Sequence, residues 1–116
     1  MHDSMRAELL MIGTELLLGQ ISDTNATYMA RVLAASGIDL YWKTTVGDNA
    51  GRIVEALRLG LARSDAVLCS GGLGPTADDI TRECVAAVLD VPLEYHESLY
   101  QAIEERFRTR NRPLTE

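Results

Sequence analysis

Three short apolar runs, each stopped by glycine and each followed by a stretch of helical periodicity, restrict this chain more than any other feature of it. The first is Ala7-Glu8-Leu9-Leu10-Met11-Ile12, ending at Gly13. The second, Ile38 to Val46, contains β-branched and aromatic residues and stops at Gly47. The third, Ala66 to Ser70, runs into Gly71-Gly72-Leu73-Gly74-Pro75. Runs of this length bounded by turn residues are those of buried strands.

Between them the apolar period changes to that of a helix. From about Thr24 to Ser36 the spacing places Tyr28, Met29, Val32 and Leu33 on one face, with Asp23 or Thr24 available as N-cap and Gly37 where a left-handed cap belongs. A second helix, from about Asn49 to Arg63, aligns Ile53, Val54, Leu57 and Leu61. A third opens near Asp78 or Asp79 and stacks Ile80, Cys84, Val85 and Val88. Pro92 punctuates it, and a fourth, from about His96 to Arg108, turns Leu99, Ile103 and Phe107 inward.

Strand and helix alternating at this spacing make βαβ units, whose right-handed crossovers give a mostly parallel sheet covered on both faces, a three-layer αβα domain. The 116 residues, 47% apolar, suffice for one core. The whole chain, 1–116, therefore reads as one domain. Three strands are few for this architecture, and Arg112-Pro113-Leu114-Thr115-Glu116 adds no other. The expectation is the leading part of a larger domain.

Charge narrows the partners. Seventeen acids against eleven bases leave a net −6, without the cationic footprint that a duplex nucleic acid demands. The one basic run, Arg106, Arg108, Arg110 and Arg112, reads as a solvated helix end. No stretch approaches the roughly 20 apolar residues of a membrane span, and the start lacks an export signature, so no membrane and a cytoplasmic location are expected. Cys69 and Cys84 read as buried thiols rather than a disulfide or a zinc knuckle. His2 and His96 are solitary and read as structural or surface residues.

In an open parallel sheet, ligands bind outside the carboxyl ends of the strands. The segments that follow the three strands bring Glu15, Asp23, Asp48, Asp78 and Asp79 toward one edge, among glycines and small hydroxyl residues. The glycine loop offers unobstructed backbone N–H groups beside a helix start, an anion-binding arrangement. Carboxylates there would repel a phosphate unless a cation lies between, and Mg²⁺ takes one or two carboxylates while keeping sites for phosphate oxygens. Each aspartate also has an ordinary use as a helix cap. Leu16 to Leu18 read as core or as a subunit contact. A dinucleotide fingerprint is excluded because Gly13-Thr14-Glu15 follows the first strand. A Walker lysine is excluded because the single lysine, Lys43, lies inside the second.

The segments Gly13-Thr14-Glu15-Leu16-Leu17-Leu18-Gly19-Gln20, Asp23-Thr24-Asn25, Val46-Gly47-Asp48-Asn49 and Gly71-Gly72-Leu73-Gly74-Pro75-Thr76-Ala77-Asp78-Asp79-Ile80-Thr81 stand in the order of the CinA, or competence/damage-inducible, proteins. The chain resembles their N-terminal domain, which is similar to the molybdopterin-binding fold of MogA, MoaB and the central part of MoeA. The family signature falls on Gly71, Gly72, Gly74, Asp79 and Thr81. Leu73 stands where the cofactor-synthesis relatives commonly have Thr. In this family the domain continues past the point where the chain stops.

The resemblance implies hydrolysis of ADP-ribose to AMP and ribose 5-phosphate by a cytoplasmic homo-oligomer dependent on a divalent metal, Mg²⁺ or Mn²⁺/Co²⁺. Asp48 and Asp79 are then the catalytic pair, and Glu15, Asp48, Asp78 and Asp79 the metal ligands. Thr14, Asn25, Gly71, Gly72, Leu73, Gly74 and Thr76 hold the substrate. The alternative is a molybdopterin-binding module of the cofactor-biosynthesis type, using the same loop for a pterin phosphate. A third reading keeps the fold and an oligomer contact but no activity, with part of the pocket lying elsewhere.

Overall fold

The computed structural model describes residues 4–109. In order these are β1 (Arg6–Ile12), α1 (Thr14–Leu17), α2 (Thr24–Ala35), β2 (Asp39–Val46), α3 (Ala50–Arg63), β3 (Ala66–Ser70), α4 (Thr81–Leu89) and α5 (Glu97–Thr109). His2, Arg110, Arg112 and the chain end lie outside the described residues, as does the side chain of Phe107.

The strands form one sheet in the order β2-β1-β3, and both pairings are parallel, in accord with the βαβ reading. β1 is central and buried on both sides. Because side chains alternate across a strand, its residues divide between two cores. Ala7, Leu9 and Met11 meet Ala26 and Leu33 of α2 on one face. Leu10 and Ile12 meet Ile53 and Leu57 of α3 and Cys84 of α4 on the other. Leu9, Leu10, Met11, Ile12 and Ile53 are the largest fully buried side chains. Each stabilises the fold by about 1.5–3 kcal/mol relative to exposure.

The helices depart from the expected faces in identifiable ways. On α2 the buried stripe passes through Ala26 and Leu33, whereas Tyr28 is 70% and Val32 44% exposed. Ala26 faces the sheet together with Leu33 and the half-buried Met29, the two of the four expected residues that do pack inward. On α3, Ile53 and Leu57 are buried as expected, but Leu61 is exposed. On α5, Leu99 and Ile103 are 62% and 48% exposed rather than inward. The apolar stripe exists, and among the described residues it is left uncovered.

α1 was not expected from the sequence, since four residues are too few to show a period. It divides the leucine run: Leu16 packs against the α2-side core, while Leu17 and Leu18 are exposed. Cys84 is buried and Cys69 half-buried, both as free thiols; burial pushes each thiol's pKa up.

One buried group was not foreseen. Glu8 interrupts the apolar run of β1 and is almost wholly buried, on the α3 side. Arg63 donates to it from Nε and Nη2, both at 2.9 Å, and Ser64 Oγ donates at 2.7 Å. The Arg63 guanidinium lies 3.8 Å from the Trp42 ring centroid. Gly60 allows this approach: a Cβ there would stand 2.9 Å from Val67 Cγ2 and 3.1 Å from Glu8 Cδ.

Candidate functional site

The chain leaves β1 toward α1 and α2 on one face of the sheet, and leaves β3 toward α4 on the other. The crevice between the carboxyl ends of β1 and β3 is therefore a topological switch point, the usual ligand position in such sheets. A cavity of about 200 Å³ opens there, lined by Ile12, Glu15, Leu16, Ile21, Ser22, Asp23, Thr24, Asn25, Ser70 and Gly71. Of the expected site residues, the structure brings Glu15, Asn25 and Gly71 together in this cleft. Asp23, Ser22 and Ser70 join them; of these, Asp23 alone carried a sequence signal, as a cap, as one of the carboxylates at that edge and as a ligand contact beside Asn25.

The glycine loop is folded tightly against its surroundings. Gly71 and Gly72 have φ of +101° and +68°, conformations that side chains rarely adopt. A Cβ at Gly71 would collide with the Ile12 carbonyl oxygen, and one at Gly72 with Thr81 Oγ1. Thr81, buried at the start of α4, donates its hydroxyl to the Gly71 carbonyl at 2.7 Å and its amide to the Gly72 carbonyl at 3.2 Å. Thr81 belongs to the signature, yet its role as a buckle was legible only in three dimensions.

Asp78 and Asp79 do not open the third long helix. α4 begins at Thr81 behind Ile80, which makes no side-chain cap. Asp79 instead closes the loop on itself, its Oδ2 accepting from Thr76 Oγ1 at 2.6 Å and Thr76 N at 3.1 Å. The Thr76 hydroxyl, chiefly, holds the Asp79 carboxyl below its ordinary pKa, with backbone amides and Arg82 adding to it. Asp48 is tied similarly across the strand ends: its Oδ2 accepts from Thr14 Oγ1 at 3.1 Å and Thr14 N at 3.3 Å, and its own amide donates to Thr14 Oγ1 at 3.1 Å. Asn49, not Asp48, caps α3. Asp23 caps α2, accepting from Ala26 N at 3.0 Å.

All five carboxylates follow strand ends, yet among the described residues no three Asp, Glu, His or Cys side chains gather so that they could hold a metal ion. The physical reason is visible for three of them: Asp23, Asp48 and Asp79 are engaged by local donors. Leu73 also lies apart. It is 60% exposed and lines a separate apolar groove of about 350 Å³ with Cys69, Val85, Leu89 and Pro92.

A family model described as "Probable molybdopterin binding domain" matches residues 8–113. The chain is 53% identical over 109 residues to a CinA-like protein of Gloeobacter violaceus, covering 94% of this chain and 26% of that one. It is 48% identical to a putative competence-damage inducible protein of Pediococcus pentosaceus, covering 96% and 27%. The chain thus spans about a quarter of the length of these curated relatives.

Among solved structures, CinA of Thermoplasma acidophilum, described as of unknown function, superposes with a TM-score of 0.84 at 32% identity, covering 90% of this chain and 62% of that one. The molybdopterin biosynthesis enzyme MoaB of Thermus thermophilus superposes at 0.71 with 27% identity, covering 77% and 57%. The resemblance to CinA proteins and the MoaB/MogA-like fold are borne out.

The main functional expectation is not. The matched family and the MoaB likeness point to molybdopterin binding and overturn the reading as an ADP-ribose pyrophosphatase or a hydrolase of that type. The alternative weighed beside it is the one supported. No helix among the described residues is long and apolar enough to cross a membrane.

Proposed function

This chain belongs to the probable molybdopterin binding domain family, and on that footing we propose that its switch-point cleft and glycine loop form a binding site for a phosphorylated pterin of the molybdopterin type. One observation carries the reading: the loop after β3 turns through positive-φ backbone at Gly71 and Gly72, buckled by Thr81 and closed by the Thr76–Asp79 bond, and Gly71 lines the cleft. Gly71 and Gly72 carry no side chain of their own to screen their amides, and the adjoining α4 N-terminus has no side-chain cap consuming its donors. Such an end attracts anions. The phosphate belongs at Gly71, Gly72, Gly74 and Thr76, and the ring in the cleft beside Asn25. Thr14 acts through Asp48, which it holds in place.

A divalent cation enters this reading as a companion of the phosphate. The described residues present no preformed ligand set, so Glu15, Asp48, Asp78 and Asp79 would contact it one or two at a time, with phosphate oxygens and water completing its shell.

The test is anaerobic titration calorimetry with molybdopterin, with ADP-ribose as the comparison. Saturable binding of the pterin is expected, and Gly71→Ala abolishes it by driving a methyl against the Ile12 carbonyl. A wild-type protein that fails to bind molybdopterin overturns the proposal.

A further inference from the structure

We infer that Asp23 is the residue by which the cleft selects a ring bearing N–H donors, such as the 2-amino-4-oxopyrimidine edge of a pterin. This rests on the pterin reading above and adds to it the group that recognises the ring. Among the described residues, Asp23 Oδ2 is the one buried side-chain oxygen or nitrogen without a hydrogen-bond partner. Native proteins pair nearly all such atoms, so an exception calls for a cause. Capping supplies none. Oδ1 alone caps α2, through Ala26 N, and Ser, Thr or Asn would serve there equally well. The second oxygen is therefore surplus to the fold.

Its position gives it a use. Asp23 lines the same cavity as Glu15, Asn25, Ser70 and Gly71, and neither Asn25 nor Ser70 donates to it. Glu15 lines the cleft as well, so its wall offers carboxylate acceptors, and Gly71 brings the start of the glycine loop to the same cavity. A ligand with a phosphate at one end and paired N–H groups at the other matches both. A carboxylate oxygen accepting from a ring N–H makes a charge-assisted bond, stronger than a neutral one.

Asp23→Asn tests this directly, because Asn keeps the capping oxygen and replaces Oδ2 by a donor. Titration of the full chain with molybdopterin is expected to show about 10- to 100-fold weaker binding than wild type, the loss of a charged hydrogen bond. Inorganic phosphate, titrated in parallel, binds both proteins alike. Asp23→Ser, which retains a capping hydroxyl and lacks the second oxygen, gives the same result and covers the case in which Asn lowers the melting temperature. Wild-type binding of molybdopterin with either folded variant unchanged overturns the role of Asp23 and leaves the proposed function standing. A wild type that binds phosphate but not molybdopterin overturns the proposed function and this inference with it.

Discussion

Replacing Glu8 by Gln keeps the side chain's shape and removes its charge at the most buried ion pair among the described residues. In the native protein the carboxylate accepts three hydrogen bonds, two from Arg63 at 2.9 Å and one from Ser64 at 2.7 Å. Gln retains one acceptor oxygen but turns an NH₂ toward the guanidinium, so at least one charge-assisted bond is lost. Each such bond is worth about 1.5–3 kcal/mol. Rupture of a fully buried pair costs about 3–5 kcal/mol, but the Arg63 side chain is 25% exposed and recovers part of its hydration. The expected destabilisation is about 2–3 kcal/mol near neutral pH, or about 8–12 °C in melting temperature for a domain of this size.

Urea unfolding followed by the fluorescence of Trp42, the single tryptophan, measures it. The pH dependence is a second check. The Arg63 bond, chiefly, lowers the Glu8 pKa from its ordinary 4.5 against the opposing effect of burial, with Ser64 adding to the lowering. A depressed folded-state pKa contributes stability that is full above 4.5 and fades as pH falls through the lower folded value. The difference between wild type and Glu8→Gln should shrink correspondingly in acid. A variant within about 0.5 kcal/mol of wild type at pH 7, the range of ordinary surface substitutions, would refute the reasoning, as would a penalty equal at pH 3 and pH 7.

The loop gives two further predictions. Thr76→Val removes the chief cause of the low Asp79 pKa, so the Asp79 carboxyl should titrate closer to its ordinary 3.8; NMR of the side-chain carboxyl carbon reads this. Thr81→Val keeps volume but breaks the buried bond to the Gly71 carbonyl. It should cost about 1–3 kcal/mol in denaturant unfolding, because the carbonyl is left without that partner, and it should weaken molybdopterin binding in the same calorimetric assay.

The alternation of periods was enough to place all three strands and the four longer helices, because burial on a sheet or a helix face writes itself into apolar spacing. Gly37 was legible for a similar reason: a left-handed position at a helix end has few occupants, and it adopts φ +75°. Facing was harder. The spacing on α2 allowed Tyr28 or Ala26 to meet the sheet, and nothing local decides in favour of the smaller residue. Along α5 an amphipathic stripe was read as buried, although burial requires an opposing surface that the stripe itself does not specify.

At the candidate site the residues' neighbourhood was legible but their engagements were not. Asp48 lies 34 positions from the threonine that holds it, and Glu8 lies 55 from Arg63. Asp79 was read as a helix start because aspartate is common there. Its bond to Thr76 competes for the same oxygen and wins, since the glycine turn brings the hydroxyl to it.

The division of β1 between two interiors has a consequence for how the molecule comes apart. A single seven-residue segment is the spine of both hydrophobic layers. Stripping α2 from its face exposes one row of β1, and stripping α3 and α4 exposes the other, so neither side keeps its footing once the spine is displaced. The backbone amides of residues 7–12 should accordingly be among the slowest in the protein to exchange with deuterium, opening only when the whole molecule does.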